Sequence, residues 1–315
     1  MPDRGSCGEF ISVCCPACGG QETTVRWETS LNGDPGSHLE AFFRCTNTQY
    51  GRFGRIVRCR ACGMMYRNPQ EANLMDAYAA AVDEDYLREW PARRETFRRS
   101  LRQLHRYAQP PGDLLDVGCS TGFFLQVAQE AGWHAVGLEP SHWAVEQARV
   151  QGLEVREGDL EANPPPPASF DVVTLWDVIE HVRDPLQTLQ AAHAALRPGG
   201  VLALTTMDIG SLAARALGSR WPHLMRMHLW YFRYHHVAKL LQEAGFTDLH
   251  RHGHVRVLSA SYLASRFKFT GGPVSRALGW LIQALGLGKA LVPIYLGDLI
   301  AVYARKPLDA APDGS

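Results

Sequence analysis

Four cysteines repeat one motif, Cys15-Pro16-Ala17-Cys18-Gly19 and Cys59-Arg60-Ala61-Cys62-Gly63. Two residues between thiolates let the chain wrap one metal with successive sulfurs, and the following glycine permits the tight turn whose amides point at them. Cys15, Cys18, Cys59 and Cys62 therefore make a tetrahedral four-thiolate site suited to zinc. Its role is structural, because four thiolates leave no open coordination position. The 40 residues between the two motifs exceed a compact ribbon, so the segment from Gln21 to Arg58 is expected to hold a hairpin and a loop around Asn32-Gly33-Asp34-Pro35-Gly36. Cys7, Cys14 and Cys45 are spare thiols, with Cys14 an alternative ligand to Cys15.

A second group of residues is built to approach a ligand. Leu114-Leu115-Asp116-Val117 is an apolar run that breaks into Gly118-Cys119-Ser120-Thr121-Gly122 and resumes as a helical pattern at Phe123. This reads as a buried strand, a glycine turn and a helix start, where bare backbone and free N–H groups meet the ligand. A second strand, His134 to Leu138, ends in Glu139-Pro140. An acid about 20 positions past the turn is placed to accept from both hydroxyls of a ribose. A nicotinamide fingerprint has Gly-x-Gly-x-x-Gly, whereas here Asp116, Gly118, Ser120 and Gly122 recur at intervals of two.

With that spacing the chain resembles the class I S-adenosylmethionine (SAM) methyltransferases, whose first motif is Asp/Glu-x-Gly-x-Gly-x-Gly with an acid after the second strand. Ser120 replaces the middle glycine. The resemblance continues through Gly158-Asp159-Leu160, Trp176-Asp177 and Leu196-Arg197-Pro198-Gly199-Gly200 and covers about residues 113–306. It implies SAM as cofactor, bound by Asp116, Gly118, Ser120, Gly122, Glu139, Pro140, Asp159, Leu160 and Trp176. Asp159 would meet the adenine amino group, Leu160 the ring, and Trp176 the methionine end.

The strand Phe170 to Leu175 runs into Trp176-Asp177-Val178-Ile179-Glu180-His181. At the carboxyl end of a central strand such residues face the ligand crevice. Asp177, Glu180 and His181 share one face if a helix begins at Asp177. The run is similar to the acid-x-x-Glu-His of ubiquinone-pathway O-methyltransferases and small-RNA 3′-end methyltransferases. That likeness implies a divalent ion at Asp177, Glu180 and His181, or His181 as general base. The competing reading is a run that only fixes the loop, since attack on a sulfonium methyl mainly needs alignment and a path for the proton. His228 is a second candidate for proton handling, beside the plain reading of a packed histidine.

The elements that must position these groups follow from pattern. Residues 1–70 form the zinc ribbon and 71–112 a helical lead-in, expected as two amphipathic helices broken near Trp90-Pro91. Residues 113–306 form the methyltransferase domain and 307–315 a disordered tail. The fold class is α/β, a Rossmann-like seven-strand sheet, mostly parallel with an antiparallel final strand, fronted by the small ribbon. Tyr78 and Tyr86 are packing residues on helical spacing or contacts to the cofactor cleft.

The chain has 315 residues, 46% of them hydrophobic and 20% charged, with zero formal net charge. That balance gives no whole-chain field for nucleic acid or an anionic membrane. No signal pattern opens the sequence and no run of about 18 apolar residues occurs, so the expected location is cytoplasmic. Arg52, Arg55, Arg58, Arg60 and Arg67 read as a solvated ribbon face more than as a nucleic-acid patch. The apolar stretch 277–296 is assigned to core packing or a homodimer interface before peripheral membrane contact or an acceptor tunnel. The expected activity is O-methylation of a sugar, carrier-linked glycan or small biosynthetic intermediate. An RNA methyltransferase and a non-catalytic SAM-binding or zinc scaffold are the alternatives.

Overall fold

A computed structural model describes residues 10–31, 52–268, 280, 282 and 284–308. Cys7, Cys45, the loop 32–36, part of 277–296 and the tail from 309 lie outside the described residues.

The amino-terminal part is built from β1 (Phe10–Ile11), β2 (Thr23–Trp27), β3 (Ile56–Cys59), β4 (Met65–Arg67) and β5 (Gln70–Glu71). β2, β3 and β4 pair antiparallel, and β1 pairs with β5. Three helices follow where two were expected: α1 (Leu74–Ala79), α2 (Glu84–Arg88) and α3 (Trp90–Leu104). The expected break near Trp90-Pro91 falls between α2 and α3, and Pro91 lies in the first turn of α3, where its missing N–H has no partner to lose.

The large sheet contains β6 (Asp113–Val117), β7 (His134–Glu139), β8 (Val155–Glu157), β9 (Phe170–Trp176) and β10 (Leu196–Met207). The helices between them are α4 (Phe123–Glu130), α5 (His142–Val150) and α6 (Pro185–Ala195). Beyond β10 come α7 (Leu212–Leu217), β11 (Trp230–Tyr231), α8 (Tyr234–Glu243), β12 (Thr247–Gly253), β13 (Arg256–Ser259), α9 (Ala260–Lys268), β14 (Leu291–Ile294) and β15 (Leu299–Arg305). The sheet order is β12-β15-β10-β9-β6-β7-β8, with β15 antiparallel to both neighbours. This is the seven-strand class I methyltransferase arrangement. Chain direction reverses its order of strand addition between β6 and β9, which sets the ligand crevice at their carboxyl ends.

The strands are apolar because both faces are covered: Leu114, Leu115, Val172, Val173, Leu202 and Leu204 are all buried. Helix α4 turns Phe123, Phe124, Val127 and Ala128 inward at helical spacing. Ser141 caps α5 by accepting from the Ala144 N–H, and Asp184 caps α6 through Leu186 and Gln187.

The ribbon sheet has a strand from far away in the chain. β11 pairs antiparallel with β4, setting Trp230 opposite Tyr66 and Tyr231 opposite Met65. The Tyr66 and Trp230 rings lie 5.8 Å apart. One apolar cluster runs from Cys15, Val57, Met64 and Tyr66 through Trp230 into Leu115, Val173 and Leu204. Each large apolar side chain so buried contributes about 1.5–3 kcal/mol, so the ribbon is welded to the large sheet.

The described part of 277–296 does not pack in the core. β14 pairs with β13, and Trp280, Leu285, Leu287, Tyr295 and Leu296 are exposed. Among the described residues, no helix is long and apolar enough to cross a membrane.

Candidate active site

The glycine turn leaves β6 with three residues in left-handed conformation, Gly118 at φ +67°, Ser120 at +50° and Gly122 at +81°. A Cβ on Gly118 would lie 2.7 Å from Val178 Cγ2, and one on Gly122 would lie 2.2 Å from Leu153 Cδ1. The turn is therefore packed so closely that only bare backbone fits. Ser120 holds a conformation that non-glycine residues take up at a cost of about 1–2 kcal/mol. Its N–H donates to Glu139 Oε2 at 2.8 Å.

Glu139, at the end of β7, is fully buried. Oε1 accepts from the Ser141 N–H at 2.8 Å, and Oε2 also accepts from the Tyr78 hydroxyl at 3.4 Å. Burial raises its pKa to about 6 against the pull of the Ser141 and Ser120 amides. A carboxylate has about four acceptor positions, so capacity remains for hydroxyl donors beside Pro140. Asp116 is buried and accepts from Thr174 Oγ1 at 2.6 Å; burial and the neighbouring Glu139 push it up to about 8. It braces the turn from inside the sheet. Asp159 is exposed, and its Oδ1 accepts from the Glu161 and Ala162 amides, while Leu160 is buried. Tyr86 is a packing residue, stacked on Phe123 at 5.1 Å.

Two buried polar atoms at this edge have no hydrogen-bond partner among the described residues, Thr121 Oγ1 in the turn and Trp176 Nε1 at the end of β9. Bare glycine backbone, a buried acid with spare acceptor positions and orphaned donors fit a polar ligand with a ribose and an adenine.

No helix begins at Asp177. The residue adopts φ +56° and Asp177 to His181 form turns, with α6 starting only at Pro185. Asp177 is not in the group that Glu180 and His181 form with His228, although its charge acts on both of them. Its N–H donates to the Thr205 carbonyl and hydroxyl, Oδ1 accepts from Thr205 Oγ1, and Oδ2 pairs with Arg256. Burial works against its charge, but Arg256 outweighs it and holds the carboxyl well below the usual range.

The place expected for Asp177 is taken by His228. Glu180 is fully buried; Oε2 accepts from Thr206 Oγ1 at 2.9 Å, and Oε1 has no hydrogen-bond partner. His181 Nδ1 donates to the Met227 carbonyl at 3.0 Å, and His228 Nδ1 donates to the His223 carbonyl at 2.7 Å. A carbonyl only accepts, so each ring carries its proton on Nδ1 and a lone pair on Nε2. Burial lowers the pKa of both rings, which keeps them neutral. The donor atoms of Glu180, His181 and His228 lie within 4.8 Å of one another. Two backbone-anchored imidazoles and one carboxylate are the donors that a divalent ion selects.

Cys15, Cys18, Cys59 and Cys62 form a second group with sulfurs also within 4.8 Å of one another. Cys15 and Cys62 are 3.4 Å apart, Cys18 and Cys59 3.5 Å. Zinc–sulfur bonds of about 2.3 Å give a tetrahedron with edges of roughly 3.8 Å, so the set fits zinc. Gly19 and Gly63 take φ +69° and +76° and return their N–H to the Cys15 and Cys59 carbonyls. Burial would raise the Cys59 thiol, but the Cys62 amide, the Cys18 thiol and the Ala61 amide bring it down to about 7. Cys14 is exposed and outside the group. Among the ribbon arginines, Arg67 is no surface residue: it is buried against Glu71.

The family described as "Methyltransferase domain" matches residues 90–251. Ubiquinone biosynthesis O-methyltransferase of Ruegeria pomeroyi is 34% identical over 157 residues, 45% of this chain and 62% of the relative. The Vibrio cholerae protein of the same name is 30% identical over 159 residues, 44% and 64% respectively. The chain thus spans less than two thirds of these relatives. SAM-dependent methyltransferases of known structure from Thermotoga maritima and Archaeoglobus fulgidus share the fold at TM-score 0.50. They are 21% and 18% identical, each covers 71% of this chain, and 93% and 100% of their own chains are covered.

Proposed function

Because the chain belongs to the methyltransferase-domain family, whose cofactor is SAM, we propose that it transfers a methyl group to a hydroxyl oxygen of a sugar, carrier-linked glycan or small biosynthetic intermediate. The observation that carries this reading is the trio Glu180, His181 and His228, at the carboxyl edge beside β9. Its support is the O-methyltransferase name of the relatives.

Bound SAM supplies an electrophilic methyl carbon on a sulfonium sulfur. The glycine turn and Glu139 seat the cofactor, with Pro140, Asp159 and Leu160 at the adenosine end and Trp176 at the methionine end. An acceptor hydroxyl would have to give up its proton on methylation, and handling that proton falls to residues of this chain. Neutral His181 and His228, with lone pairs on Nε2, are placed to take that proton or, with Glu180, to hold a divalent ion. Such an ion would lower the hydroxyl's pKa and orient it. Asp177 has a different task, since its ion pair with Arg256 fixes the end of β9. Zinc held by the four thiolates supplies structural rigidity only.

The test is transfer of labelled methyl from SAM to a panel of hydroxylated glycans and small phenols, with and without magnesium. Methylation in the wild type that falls at least about a hundredfold in His228→Ala, at unchanged S-adenosylhomocysteine affinity, is expected. Methyl found on nitrogen, or on RNA, would replace this reading, and a chain that binds S-adenosylhomocysteine but methylates nothing would favour the scaffold.

A further inference from the structure

A cleft of about 340 Å³ lies between α3 and the β12–β13 turn, lined by Arg99, Arg102, Gln103, Arg106 and His254 among others. Its walls are fixed to each other: the Thr96 hydroxyl accepts from the Val257 N–H at 2.8 Å, one turn before Arg99. Its charge is unbalanced. Arg99 and Arg102 share a single carboxylate, Glu95, at 3.1 and 3.5 Å. Among the described residues, Arg106 has no ion-pair partner. Inside the cleft the His254 ring is buried, 6% exposed, and no hydrogen bond reaches its imidazole within the described residues. Burial, with Arg256, drives its pKa down to about 4 against the pull of the Asp177 carboxylate, so the ring is neutral.

The cleft is at the edge of the sheet where the chemistry is placed. β12 runs parallel to β10 and β9, because β15 between them is antiparallel to β12 and β10. Gly253 therefore leaves the sheet at its carboxyl edge, as Trp176 does. Three strand spacings of about 4.8 Å separate β12 from β9, roughly 15 Å. That span suits a sugar joined to a diphosphate, with the hydroxyl at one end and the anion at the other.

We propose that the Arg99–Arg102–Arg106–His254 cleft is a diphosphate-binding subsite, and that the acceptor carries a diphosphate. Guanidinium groups present paired N–H donors that match phosphate oxygens, and His254 closes one end of the cleft. The anion site stands on these residues alone; its service to the acceptor rests on the methyltransferase reading above.

The test is calorimetric titration of sodium pyrophosphate into the full chain, with S-adenosylhomocysteine titrated separately and sodium sulfate at matched ionic strength as control. Saturable pyrophosphate binding that weakens at least tenfold in Arg102→Gln/Arg106→Gln, with S-adenosylhomocysteine affinity unchanged, supports the proposal. Displacement by uridine diphosphate assigns a nucleotide-linked acceptor, and displacement by farnesyl diphosphate a lipid-linked one. Absent binding, equal binding of sulfate, or affinity untouched by the double substitution overturns it, as does tighter binding of single-stranded RNA that strengthens with length. Pyrophosphate binding without S-adenosylhomocysteine binding would retain the anion site and remove the methyltransferase reading instead.

Discussion

The Leu229 N–H donates to the Glu180 carbonyl at 2.9 Å, while the Leu229 carbonyl accepts from the Arg67 N–H at 2.8 Å. One residue thus joins β4 of the ribbon to the main chain of Glu180. Trp230, which follows it, also donates to the Glu180 carbonyl at 3.3 Å and lies opposite Tyr66 in the ribbon sheet. The ribbon, with its four clustered thiols, is thus tied directly to the main chain of the trio.

Opening the thiolate group should therefore be felt at a distance. Cys59→Ser is expected to lose zinc, to lower the melting temperature by at least about 5 °C, and to reduce turnover far more than S-adenosylhomocysteine affinity. The cofactor turn and Glu139 lie outside the ribbon sheet, so binding is the internal control. Full turnover in a zinc-free variant, shown by metal analysis on the assayed sample, would refute the coupling.

Cofactor affinity should depend on pH through Glu139. Its folded pKa is raised to about 6 by burial, so the folded chain takes up this proton before an unfolded one does as pH falls. Proton uptake between about pH 6 and 4.5 stabilises the empty fold, because it removes a buried charge. It has the opposite effect on the ligand, since the proton occupies an oxygen that should accept from a hydroxyl. S-adenosylhomocysteine should bind about tenfold more weakly at pH 5 than at pH 7. In Glu139→Gln binding should be weak at both values and the pH step lost; a step that survives the substitution belongs to another group.

The sequence pattern reached far into this structure where the signal was local. Each central strand is an apolar run, Gly118 and Gly122 mark the turn, and Glu139 lies where the spacing put it. What it missed depends on long-range partners. Asp177, Glu180 and His181 have helical spacing, but Asp177 pairs with Arg256, 79 residues on, and the third donor is His228. β11 has two residues, too few for periodicity, and is a strand only because β4 is beside it. Arg67 looked like one of several ribbon arginines, and only the pairing with Glu71 shows that it is core.

The close packing of the turn separates two effects at Gly118. An alanine there meets Val178 Cγ2 at 2.7 Å and must also hold φ +67°. Gly118→Ala is expected to weaken S-adenosylhomocysteine at least tenfold, which is about 1.4 kcal/mol. Adding Val178→Ala removes the contact and leaves the backbone strain of about 1–2 kcal/mol, so recovery should be partial. Complete recovery would mean that contact alone was responsible, and calorimetry on both variants decides it.

The strongest dependence of stability on a single charge should be at Glu71. Its carboxylate pairs with Arg67 and accepts from Arg226 Nε at 2.9 Å, and all three side chains are 1% exposed. The Arg67 guanidinium also donates to the Arg226 carbonyl. Arg67 and Arg226 thus share this buried anion, and removing one member of such a cluster costs about 3–5 kcal/mol. Glu71→Gln should show that loss as a lower urea midpoint at unchanged slope. The exposed pair Arg88 and Asp85, 80% and 63% exposed, is the contrast, and Asp85→Asn should leave the midpoint where it is. Arg226 is two residues before His228, so the fully folded fraction of Glu71→Gln should also turn over more slowly while binding S-adenosylhomocysteine normally. A variant that is destabilised but catalytically intact per folded molecule would confine Glu71 to the fold and detach it from the placement of His228.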